Sequence, residues 1–130
     1  MKEGSFMSEQ NGKMVVVCNH ADAPHVMPTM IMGASGVGIG EEVMLFFCPG
    51  GAQALVKGEL EKIRDMKLKG LPDPVDLYGT ILAEGGHIIL CELALENKDI
   101  KKEDLREGVE IMNAPSFLLD AVGAGLSLVF

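Results

Sequence analysis

A chain of 130 residues hides roughly two-thirds of its unfolded surface on folding, so it supports one hydrophobic core without disulfide staples and excludes a second domain. With 11 basic against 19 acidic residues it carries a formal charge of -8, which repels a phosphate backbone and argues against nucleic-acid binding. No apolar run approaches the about 20 residues of a membrane-spanning helix, and the polar opening Met1–Lys13 lacks the apolar stretch of a secretory signal, so a cytoplasmic protein with no membrane span is expected.

Residues 1–12 show no periodicity and are expected to form a flexible arm ahead of one α/β domain over 13–130. Lys13–Asn19 is a β-branched run without alternation, which reads as a strand covered on both faces. The stretch 21–38 follows as a helix, with Asp22 as cap, Pro24 in its first turn, and Val26, Met27, Met30, Ile31 and Ala34 at helical spacing. Glu42–Cys48 is a second strand closed by Pro49-Gly50-Gly51, with a short helix predicted over Ala52–Val56. Lys57–Leu71 reads as a solvated, partly helical excursion. Pro72–Glu84 is a helix capped by Asp73 and stopped by Gly85-Gly86. His87–Cys91 is strand three, Glu92–Lys98 a helix, Lys102–Glu107 a further helical turn, Val109–Met112 strand four, Pro115–Val122 a helix and Leu126–Phe130 strand five. Strand and helix alternating to the end predict a three-layer α/β/α Rossmann-like sandwich around a five-stranded parallel sheet.

In such a sheet ligands bind beyond the carboxyl ends of the strands. Cys18, Cys48 and Cys91 each close a predicted strand at that edge, and their irregular spacing fits neither a disulfide framework nor a paired zinc motif. Cys91 is the leading candidate nucleophile, because a thiol at a helix start meets unpaired N–H groups that favour the thiolate. Cys18 and Cys48 read equally well as small core residues. His20 follows strand one at the same edge and could polarise a thiol, although a half-exposed loop histidine needs no such role. His25, one helical turn on, reads the same way, and His87 lies at the opposite edge as a structural residue. Gly50 and Gly51 follow a strand and could cradle an anion, or simply make a tight turn. Gly33, Gly36, Gly38 and Gly40 end a helix and precede a strand, the reverse of a dinucleotide fingerprint, and the methionines Met27, Met30 and Met32 read as a core or interface stripe; no cofactor or metal is expected.

The segments EEVMLFFCPGGAQAL and GGHIILCELALENKDIKKEDLREGVEI resemble the DsrE/DsrF-like family of sulfur-trafficking proteins over about residues 13–130. The most specific part is Cys91 followed by a helix, then Ile100, Asp104-Leu105 and Gly108-Val109. The resemblance implies that Cys91 accepts a sulfur atom, as a persulfide or bound thiosulfonate, and passes it to a partner thiol. It also implies a homo-oligomer (trimer, tetramer or hexamer) and a partner such as a rhodanese-type or small carrier protein. Where some relatives have a second cysteine three positions on, this chain has Ala94, so a C-x-x-C cycle is absent. Leu90, Leu93 and Met112 are the expected apolar shield of the sulfur. Two other readings stay open: a thiol redox protein pairing Cys91 with Cys48 or Cys18, and a non-catalytic oligomeric module that buries the Met-rich first helix between subunits.

Overall fold

The computed structural model describes residues 12–130, so all of the expected arm except Gly12 lies outside the described residues. Five strands, β1 (Lys13–Cys18), β2 (Glu42–Phe47), β3 (His87–Cys91), β4 (Val109–Met112) and β5 (Leu126–Val129), form one sheet in the order β4-β3-β2-β1-β5. Every neighbouring pair is parallel. The helices are α1 (Ala23–Gly38), α2 (Glu59–Asp65), α3 (Pro74–Ala83), α4 (Leu93–Asn97) and α5 (Ala114–Ala121), with 3-10 turns at Pro49–Leu55 and Lys102–Asp104.

The chain steps from β1 to β4 in one direction and then returns across the sheet to β5. Right-handed crossovers therefore put α1 to α4 on one face and α5 on the other. Two core clusters record this: Met14, Val16, Cys18, Leu45, Phe47, Ile88 and Leu90 pack with α1, α3 and α4, while Val15, Met44, Phe46, Ile89 and Cys91 pack with Phe117 of α5. The expected α/β sandwich is the observed one. No helix among the described residues is long and apolar enough to cross a membrane.

Local chemistry explains most element ends. Asp73 accepts from the Val75 N–H at 2.8 Å and caps α3, and Asn113 accepts from the Ser116 N–H at 2.8 Å and caps α5. Asp22 stands at the N-cap of α1 but caps no backbone group, because its carboxylate pairs with His25 Nδ1 at 2.5 Å. Met27 and Met30 are core residues, whereas Met32 faces outward. Gly36 lets α1 lie close on the sheet: a Cβ there would stand 2.5 Å from Met14 Sδ and 2.8 Å from Val43 Cγ2. The turn after β2 starts at Pro49 rather than Ala52. The excursion over 57–71 is partly helical as expected, through α2, but less solvated, since its Leu60 and Ile63 are buried at an i, i+3 spacing.

Arg106 ties this excursion to α3. Its Nη1 donates to Glu61 Oε1 at 2.6 Å and its guanidinium lies over the Tyr78 ring, whose hydroxyl donates to the Glu107 carbonyl at 2.6 Å. Burial pushes the Tyr78 phenol up to about 12. A folded-state pKa above the unfolded value of about 10 gives stability that is complete below pH 10 and lost as pH rises through about 12. Alkaline unfolding followed by circular dichroism should show this loss between those limits, and Tyr78→Phe should flatten it.

Candidate thiol site at the carboxyl edge of the sheet

A crevice forms where neighbouring parallel strands send their connections to opposite faces. Here that point falls between β3, which leads into α4, and β4, which leads into α5. The residues that end these two strands, Cys91 and Met112, pair in register.

All three cysteines lie at this edge, but strand alternation separates them. Cys18 points into the α1-side core, where its S–H donates to the His20 carbonyl at 3.2 Å. Cys91 and Cys48 belong to the α5-side cluster with Met44, Phe46, Met112 and Phe117. The last register pair of β2 and β3 is Phe47↔Leu90. One step further along both chains brings Cys48 beside Cys91, at the inter-strand Cα spacing of about 4.8 Å. The thiols are free. Burial pushes the Cys48 thiol up, and the nearby Cys91 and Cys18 add to the effect.

Three expectations about Cys91 are corrected. Cys91 is 4% exposed rather than open, because β3 is an interior strand and its α5-side face packs in a cluster with Met44, Phe46 and Phe117, the last two stacked with ring centroids 4.1 Å apart. The start of α4 does not face the sulfur: Ala94 and Leu95 pack on the α1 side, and the Glu92 N–H donates to the Met112 carbonyl at 2.9 Å. Of the three expected shielding residues only Met112 shares the cluster; Leu90 points to the other face and Leu93 is 66% exposed. Parity is the reason, since the last strand residue turns one way and the following helix the other.

Gly50 and Gly51 are occupied by structural work. The Gly50 N–H donates to Asn19 Oδ1 at 3.1 Å and the Gly51 N–H to the Cys48 carbonyl at 2.8 Å, so neither is left to cradle an anion. A Cβ on Gly50 would lie 2.2 Å from the Asn19 carbonyl oxygen, and one on Gly51 2.7 Å from that of Cys18. Gly50→Ala must move backbone, so it should cost about 1–3 kcal/mol in urea unfolding and raise the alkylation rate of the adjoining Cys48. A midpoint equal to that of the parent chain would contradict the close approach.

His20 is exposed and stacks on His25 with ring centroids 4.0 Å apart. His25 in turn holds Asp22 below the usual carboxylate range through their hydrogen bond. These rings follow β1, on the far side of β2 from Cys91. His87, as expected for the opposite edge, pairs with Glu110 Oε2 at 2.7 Å. Among the described residues no group of three or more His, Cys, Asp or Glu is placed to hold a metal ion. Sequence reading missed Phe117 as a member of the Cys91 cluster, and missed that Cys48 shares a face with Cys91. The second was available from parity, since Phe46 and Cys48 are two apart and so are Ile89 and Cys91.

No family model matches the chain. It is 32% identical over 97 residues to the uncharacterized protein MJ0760 of Methanocaldococcus jannaschii, an alignment covering 75% of this chain and 34% of that protein. The chain thus spans about a third of the length of the curated relative it matches. Among solved structures it is similar to the ychN protein from E. coli, with a TM-score of 0.66 and 18% identity over 92% of this chain and 99% of that one. It is also similar to the protein of unknown function MTH1491 from Methanobacterium thermoautotrophicum, with a TM-score of 0.69 and 13% identity over 92% of this chain and all of that one. These likenesses show a shared fold, the five-stranded parallel α/β sandwich.

Proposed function

We propose that the protein is a cytoplasmic sulfur carrier that holds sulfane sulfur on Cys91 and delivers it to a partner thiol. The observation that carries this reading is the position of Cys91 where β3 and β4 send their connections to opposite faces, inside an apolar cluster with a second thiol beside it. In uptake, the Cys91 thiolate attacks the outer sulfur of a donor R–S–SH; the donor S–S bond breaks, RS⁻ leaves and Cys91–S–SH remains. In delivery, an acceptor thiolate attacks that outer sulfur and Cys91 leaves as thiolate. Neither step requires an external oxidant or reductant. With tetrathionate the product on Cys91 is a thiosulfonate and thiosulfate departs. Phe46, Phe117 and Met112 keep water and oxidants from the bound sulfur.

The test is mass-spectrometric mapping after incubation with inorganic polysulfide or tetrathionate. Added sulfur on Cys91 supports the carrier reading, and an unchanged Cys91 peptide overturns it.

The thiol redox reading is favoured by one observation, the shared face of Cys48 and Cys91; pairing with Cys18 places the sheet between the sulfurs. A Cys48–Cys91 disulfide that forms with oxidised glutathione while polysulfide adds nothing would favour it.

The carrier is a homo-oligomer in this reading, and its donor or acceptor is a rhodanese-type or small carrier protein. Its support is an open apolar groove of about 500 Å³ lined by Val15, Val17, Phe117, Val122 and Val129, with Leu119 of α5 78% exposed nearby in sequence. Sedimentation at micromolar concentration should show a trimer or larger, and a monomer contradicts this part.

A further inference from the structure

We propose that Cys48 is the receiving thiol of an internal two-step relay, taking sulfane sulfur from the donor and handing it to Cys91. This rests on the carrier reading and adds the route by which sulfur reaches a buried atom. Cys91 is 4% exposed, and an in-line attack on the outer sulfur of a donor requires the donor to approach along the axis of the new S–S bond. Buried in a cluster with Met44, Phe46, Ile89 and Phe117, the Cys91 sulfur leaves little room for a donor larger than a few atoms. Cys48 stands in the same cluster one residue past the end of β2, is only half-buried, and lies beside Cys91 across neighbouring parallel strands. Cys18 takes no part, since it faces the other side and its S–H is bonded to the His20 carbonyl.

The transfer balances without any outside reagent. In the first step Cys48–S⁻ attacks R–S–SH to give Cys48–S–SH and RS⁻. In the second, Cys91–S⁻ attacks the outer sulfur of Cys48–S–SH; the Cys48 S–S bond breaks, Cys48–S⁻ leaves and Cys91–S–SH forms. The pair carries one negative charge before and after this second step. No charge is therefore added to the apolar cluster by the transfer between the two sulfurs. Delivery reverses the order, so the acceptor meets sulfur at the half-buried position.

The experiment compares the parent chain with Cys48→Ala, Cys48→Ser and Cys91→Ala, using glutathione persulfide as a bulky donor and inorganic polysulfide as a small one. Samples are quenched by alkylation at successive times and mapped by mass spectrometry, with circular dichroism to verify folding. With glutathione persulfide the parent chain should carry sulfur first on Cys48 and then on Cys91. Either Cys48 variant should load Cys91 about tenfold more slowly or worse, with a smaller deficit for polysulfide. Cys91→Ala should retain sulfur on Cys48. Loading of Cys91 at the parental rate in both folded Cys48 variants overturns the relay and leaves the carrier reading standing. Failure of Cys91 to gain sulfur from either donor in the parent chain overturns both.

Discussion

Replacing Cys91 by alanine is expected to abolish sulfur retention at the β3 terminus and to leave bound sulfur on the half-buried Cys48 alone, so that mass-detected sulfur after removal of excess donor falls well below the parental amount. The thiol is the only group at the β3 terminus able to form an S–S bond, and no neighbouring oxygen or nitrogen substitutes for a polarizable sulfur nucleophile. Alanine is preferable to serine here. A serine hydroxyl among Phe46, Met112 and Phe117 would be buried without a partner, at a cost of about 1–3 kcal/mol, and a folding defect would then imitate a chemical one. Alanine removes one sulfur from a well-packed site and should leave the thermal midpoint within a few degrees of the parent. A variant that still carries sulfur on its remaining thiols after exhaustive desalting, at the parental amount, would show that Cys91 is not the store.

The second large effect is expected from Phe117→Ala. Phe117 is the buried contact of α5 with the sheet and stacks on Phe46, so its truncation should cost about 3–5 kcal/mol in chemical unfolding. The same change opens the apolar cluster to which Cys91 belongs. Its alkylation by iodoacetamide under native conditions should therefore rise by about an order of magnitude or more, beyond any change at Cys18 on the opposite face. Equal acceleration at all three cysteines would mean that the variant merely unfolds more often. A selective rise at Cys91 identifies Phe117 as the barrier between solvent and sulfur.

The layout of the sheet was legible because its interior strands are apolar on both faces. Lys13–Cys18 and His87–Cys91 read as unbroken hydrophobic runs, and the helices between them carry Asp73, Pro74 and Pro24 where a helix start needs them. The position of the cysteines at the carboxyl edge followed from that assignment. Their division between two faces did not, since it turns on a single residue of parity at each strand end. The same parity misdirected the role of α4: adjacency in sequence placed its start at Cys91, while the thiol and the helix lie on opposite sides of the sheet. The cluster that buries Cys91 includes Phe117, which is distant in sequence and arrives only through the crossover from β4 to β5. Gly50 and Gly51 looked like a cradle because sequence cannot show that the chain after β1 already occupies their open side.

The return of the chain from β4 to β5 spans four inter-strand gaps, about 19 Å, whereas the eight residues of α5 extend about 12 Å. One short helix thus bridges most of the sheet, anchored through Phe117 and followed by an outer strand whose Val129 is 73% exposed. Residues 113–130 form a strap held by Phe117 near its start and by the β1–β5 ladder at its end. If both the Phe117 contact and the β1–β5 ladder give way, α5 and β5 come away together, exposing the α5-side face of the four remaining strands. Amide exchange would then report one cooperative opening for this stretch at a free energy below that of the whole molecule, and each such opening would momentarily uncover the thiol pair.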